Sequence, residues 1–202
     1  MNRQREIIYG QRSQVLSGED MGETIQKMLV EQIAAGVDTY VRDPENREEW
    51  NVAGLVDYYT WLFDEEHPIS PAELETKSKE EITRLITERA QTLYKAREEQ
   101  FTPKVMRELE RVILLRNVDE KWMDHIDAMD ELRRGMGLRA YGQHDPVVEY
   151  RLEGFDMFDS MVSAIREDTI KMLLTVHLVQ GEAPKREQVA KPTSASSADD
   201  GT

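Results

Sequence analysis

Two apolar stripes of helical period, separated by one turn rich in glycine and proline, set the terms for how this chain can fold. Val105, Leu109, Val112, Leu115, Val118, Trp122, Ile126, Met129, Leu132 and Met136 recur at steps of three and four. Val148, Leu152, Phe155, Phe158, Val162, Ile165, Thr169, Met172 and Val176 do the same. A mean step of about 3.5 residues marks one face per helix that must be buried, and the nearest cover for each is the other helix. Between them, Gly135, Gly137 and Gly142 weaken helix, and Pro146 restarts it with Asp145 as the expected N-cap. The spacing predicts an antiparallel helical hairpin whose arms each reach about 45–50 Å, with a polar, aromatic-bearing turn at the far end.

The rest of the chain reads as shorter helical units. Residues 2–16 form a helix with Ile7, Ile8, Gln11, Val15 and Leu16 on or near one face, ended by Ser17-Gly18. It begins without a start signal, and so is expected to continue a longer helix. Asp20 with Glu23 gives a capping-box pattern ahead of a stripe of Met21, Ile25, Met28, Leu29, Ile33 and Val37, running to about Val41. Asn51 is placed to cap a helix carrying Val52, Leu55, Tyr59 and Leu62. Ser70-Pro71 opens a short helix, and Ser78 with Glu81 opens one that reaches about Glu99. Thr102-Pro103 then starts the first hairpin arm. No segment alternates with a two-residue period, so the expected fold is all-α: an elongated helical scaffold, a long antiparallel hairpin and an inserted small helical subdomain. The end of the chain, from Gln180, has almost nothing to bury and is expected to be disordered.

Composition narrows the functions. The net charge of −14 argues against a nucleic-acid backbone as the main partner, although Arg133, Arg134, Arg139 and Arg151 leave the hairpin end mildly positive. Cysteine is absent, which removes disulfides and thiolate metal sites. No stretch approaches the roughly 18 uninterrupted apolar residues of a membrane span. His67, His125, His144 and His177 are scattered, with no partner at metal-ligand spacing. Phosphate-binding glycine loops and nucleophile elbows are missing as well. Asp124-His125-Ile126-Asp127 invites an acid–base reading, but solvated charges on a helix face explain it more simply. Most of the aromatic run Tyr58-Tyr59-Thr60-Trp61-Leu62-Phe63 is expected in the subdomain core, with any exposed remainder as an interface. Tyr141 stands in the hairpin turn, off both stripes. From the residues alone it either packs back on its own hairpin or is presented to a partner.

Four segments follow one another along the chain: Arg116-Asn117-Val118-Asp119-Glu120-Lys121-Trp122-Met123-Asp124-His125, Met129-Asp130-Glu131-Leu132-Arg133, Leu138 to Pro146, and Glu153-Gly154-Phe155-Asp156-Met157-Phe158. In that order they resemble the SecA family. The opening Asn2-Arg3-Gln4-Arg5-Glu6-Ile7-Ile8-Tyr9 is similar to that family's long scaffold helix. The resemblance implies a scaffold with a two-helix finger over 1–18 plus 103–178, a helical wing over 19–102 and a C-terminal linker over 179–202. It implies a non-catalytic C-terminal part of an ATP-driven preprotein translocase, whose hairpin restrains ATP turnover and whose fingertip meets the translocating polypeptide at the SecY channel. Tyr141 matches the fingertip tyrosine, flanked by Leu138, Arg139 and Gln143. The implied partners are the preprotein with its signal sequence, the SecYEG channel and the motor domains of the same chain. ATP and magnesium would bind those motor domains, so no cofactor is expected here. The implied location is cytoplasmic, peripheral to the inner face of the membrane. The family's Cys/His zinc tail is absent from this sequence. The rival expectation, from the stripes alone, is a free-standing helical adaptor or coiled-coil scaffold.

Overall fold

Helix start signals account for most of the element boundaries in the computed structural model, which describes residues 2–17, 21–63, 68–139 and 145–176, the side chains of 137–139 excepted. Among these residues there are seven α-helices and no strand: α1 (Asn2–Leu16), α2 (Gly22–Tyr40), α3 (Val52–Tyr58), α4 (Pro71–Glu75), α5 (Lys79–Phe101), α6 (Pro103–Arg139) and α7 (Pro146–Thr175). Two short 3-10 turns, Arg47–Glu49 and Thr60–Leu62, flank α3. The Asn51 side chain accepts a hydrogen bond from Gly54 N at 2.9 Å. Ser78 and Glu81 satisfy each other's backbone N–H groups at 3.2 and 2.8 Å, a complete capping box. Asp145 accepts from Val147 N at 2.9 Å, with Pro146 at the first helical position. The box expected at Asp20 and Glu23 falls partly outside the described residues. In its place α2 starts after Met21, with no side-chain cap.

The two long helices form the predicted antiparallel hairpin. Asn117 Nδ2 donates to Thr169 Oγ1 at 3.0 Å, Lys121 pairs with Asp168 at 2.9 Å, and Met129 lies over Gly154, so residue numbers run in opposite directions. At 1.5 Å per residue α6 is about 55 Å long and α7 about 45 Å. Asn117 and Thr169 are both buried, and their hydrogen bond makes a one-turn slip of one arm against the other costly, since a slipped pair would leave both polar groups unpartnered.

The buried face of α6 differs from the predicted stripe. Met106, Glu110, Ile113, Leu114, Asn117, Val118 and Trp122 are buried, whereas Val105 and Val112 are exposed, the latter at 52%. The true inward track contains two polar residues, Glu110 and Asn117, and reading apolar residues alone shifts the face by one position. On α7 the base follows expectation, with Ile165 and Thr169 buried. Nearer the turn, Val148, Leu152 and Phe155 are 51, 63 and 66% exposed. There the contact with α6 runs through Gly154, where a Cβ would stand 2.7 Å from Met129 Cε, so the absent side chain lets the helices approach.

Around the base of the hairpin, α1 lies along α6, α5 turns directly into α6, and α2 crosses α7. A single apolar core runs through all of them, from Ile8 and Val15 through Ile25, Leu29, Leu55, Tyr59, Ile82 and Ile86 to Ile170 and Leu173. The aromatic run belongs to this core. Tyr59 is buried, its ring stands edge-on to Tyr58, and its hydroxyl reaches the Ile33 carbonyl at 3.3 Å. Gly36 makes room for it, because a Cβ there would lie 2.1 Å from the Tyr59 hydroxyl oxygen.

Candidate functional site

The hairpin changes character along its length, and the change falls where α1 stops covering it. Near its base, Val15 and Ile8 of α1 are buried with Leu114, Val118 and Trp122 of α6, and Arg12 pairs with Asp119 at 2.9 Å. Farther toward the turn, α1 meets both arms at Gln4. Its Nε2 donates to the Gly154 carbonyl at 2.9 Å, and its Oε1 lies 3.3 Å from His125 Nε2. Because the amide nitrogen faces a carbonyl, the amide oxygen faces the imidazole, and His125 Nε2 must carry the proton. One side chain thus ties α1, α6 and α7 together.

His125 departs from the expectation of a solvated helix face. It is 4% exposed, tilted against Trp122 with ring centroids 5.6 Å apart and edge-on to Phe158 at 5.7 Å. Burial lowers its pKa below the usual 6.5, so the ring is neutral at pH 7. A buried neutral imidazole with one amide partner is a packing element, and no carboxylate shares its hydrogen bonds. Signals that would have found it are the helical spacing of Trp122, His125 and Met129, and Phe158 on the partner arm.

Beyond His125, among the described residues, the hairpin consists of α6 and α7 alone. Met129 and Met136 close the seam between them, and Val147, Val148, Leu152 and Phe155 stand exposed. Met161 and Leu173 are buried, and Met157 is half-buried. Of the four tip residues singled out in the sequence, Leu138 and Arg139 are the last residues of α6. Tyr141 and Gln143 lie outside the described residues.

Among the described residues no three His, Asp or Glu residues converge as metal ligands. A partly open cavity of ≈ 140 Å³ sits where α1, α2, α6 and α7 meet, lined in part by Val15, Met28, Leu114 and Ile165. Arg12 and Arg166 edge it, but Arg12 is bound to Asp119 and Arg166 stands 3.6 Å from Glu31. Nor is any described helix long and apolar enough to cross a membrane. Among the described residues the geometry is mechanical: a two-helix rod, clasped at its base and with α6 and α7 as each other's cover farther out.

The sequence model of the SecA wing and scaffold domain matches residues 1–177. This chain belongs to that family. Among similar proteins, the protein translocase subunit SecA of Pelotomaculum thermopropionicum is 45% identical over 92% of this chain and 21% of its own length. SecA 1 of Alkaliphilus metalliredigens is 45% identical over 98% of the chain and 22% of its own length, and SecA of Clostridium novyi is 46% identical over 96% and 23%. The chain therefore spans between a fifth and a quarter of these SecA relatives. In SecA terms it is the wing and scaffold region, and the all-α architecture with its long hairpin agrees with the resemblance read from the sequence.

Proposed function

We propose that this chain is the transmitting and substrate-contacting part of a preprotein translocase motor, with no catalytic chemistry of its own. In this reading residues 1–18 with 103–178 are the scaffold and two-helix finger, 19–102 are the wing, and the tip around Leu138, Arg139, Tyr141 and Gln143 engages the moving polypeptide. The observation that carries it is the hairpin itself, clasped on several sides at its base and with no further described neighbour toward its turn, in a chain of the SecA wing and scaffold family. A rod held in that way converts a rotation of its base into a displacement of its end.

The partners follow from the same reading: an unfolded preprotein, the SecYEG channel mouth, and nucleotide-binding domains elsewhere in the same protein that take ATP and magnesium. The site of action is the cytoplasmic face of the inner membrane, reached peripherally. A tyrosine beside an arginine suits a substrate without fixed sequence, since an aromatic face and a guanidinium accept many side chains and any backbone carbonyl. The free-standing adaptor reading loses its motive at the base, where the stripes cover each other within the chain.

The test is Tyr141→Ala in a full-length SecA carrying this region. Translocation of a preprotein into membrane vesicles is expected to slow by about tenfold or more, with basal ATP hydrolysis held within about twofold, since a transition between states is weakened but no chemical step is touched. Transport at the unsubstituted rate would remove the tip from the mechanism.

A further inference from the structure

A single residue, Thr102, joins α5 to α6, and it is the only described non-glycine residue with positive φ, at 70°. Its ψ of 148° is the extended value that a following proline demands, and Pro103 follows. Positive φ is unfavourable for a β-branched side chain, so the surroundings must hold this bend in place. The apolar residues beside it, Phe101 and Met106, are buried, but apolar contact is non-directional and fixes no angle by itself.

Four polar side chains, two from each helix, span the bend. Tyr94 and Glu98 come from α5, and Arg107 and Glu110 come from α6. Glu110 is fully buried and Tyr94 is 3% exposed. The Tyr94 hydroxyl donates to Glu110 Oε1, in a close contact. Arg107 Nη2 donates to the Tyr94 oxygen at 2.9 Å and also contacts Glu98, while Arg107 Nη1 stands 2.9 Å from Glu110 Oε2. The Tyr94 phenol is pushed well above its usual pKa by burial and by the Glu110 carboxylate, so it stays a donor. Replacing such a buried charged net with apolar side chains is often neutral or favourable for stability, whereas its directional bonds specify geometry.

We propose that the Tyr94–Glu98–Arg107–Glu110 net fixes the angle at which the inserted helices meet the hairpin, so that the two turn as one lever and the joint at Thr102 does not absorb the motion. The net sits at the base of α6; the motion it would carry rests on the function proposed above, whereas the angle it fixes is read without Tyr141.

The absence of native cysteine allows spin labels at Glu88→Cys on α5 and Glu131→Cys on α6, both exposed. The label-to-label distance is measured by pulsed electron–electron resonance in the whole chain. Without further change a single narrow distance is expected. Tyr94→Phe with Arg107→Met and Glu110→Leu is expected to keep its helical signal and melting temperature while the distance distribution widens roughly twofold or splits. Glu110→Gln, which keeps the volume and an acceptor for Tyr94, serves if the triple variant fails to fold; it is expected to widen the distribution measurably. An unchanged narrow distance in the triple variant overturns the proposal, whether or not its melting temperature falls. The same result in Glu110→Gln overturns it when the triple variant is unfolded.

Discussion

The two ends of the hairpin are made of the same pair of helices and obey different physics. At the base, α6 and α7 are packed by α1, α2 and α5, and residues such as Met106, Leu173 and Thr169 are fully buried. Toward the turn each helix has one neighbour among the described residues, contact passes through Gly154 and two methionines, and Phe155 is 66% exposed. Apolar residues at helical spacing mean core in one half and surface in the other. The difference teaches that periodicity reports an amphipathic helix, while burial depends on how many neighbours the fold supplies.

Truncation at matched depth is the strongest way to break that contrast. Leu173→Ala is expected to destabilise the chain by about 2–5 kcal/mol, because it opens a cavity among several helices. Phe155→Ala removes a larger side chain yet is expected to stay within about 0.5 kcal/mol, since little burial is lost. Urea denaturation of both variants checks this, and a loss at Phe155 rivalling that at Leu173 would mean that the far half is covered.

A smaller effect sharpens where the boundary falls. His125 sits at the end of α1's coverage with its pKa below 6.5, so its folded form binds protons less readily than the unfolded chain. Stability contributed by the neutral ring is fully present above about pH 6.5 and declines as pH falls through the lowered folded pKa. Urea midpoints measured between about pH 7.5 and 5.5 are expected to fall with acidification in the parent and to fall less in His125→Phe. Equal slopes would place His125 in solvent.

Much of this architecture was legible beforehand, for local reasons. Asn51, the Ser78–Glu81 box and Asp145-Pro146 start helices where the sequence says they should, because a cap is a contact between near neighbours. The hairpin was legible because two long stripes and one breaker leave few other arrangements. What escaped depends on distant partners. His125 reads as solvated, and Glu110 and Asn117 lie off the apolar stripe; each is buried and bonded to a group between 16 and 121 residues away. Val148, Leu152 and Phe155 read as core, and no described residue arrives to cover them. At the tip, Tyr141 and Gln143 are known from the sequence alone, and their role rests on the family resemblance.

Amide hydrogen exchange along α6, read by mass spectrometry on the whole chain, tests the central claim most directly. A rod clasped at one end predicts slow exchange from Met106 to Trp122, and exchange at least about tenfold faster from Met129 to Met136. Equal protection along the helix would contradict it, because the far half would then be held as firmly as the base.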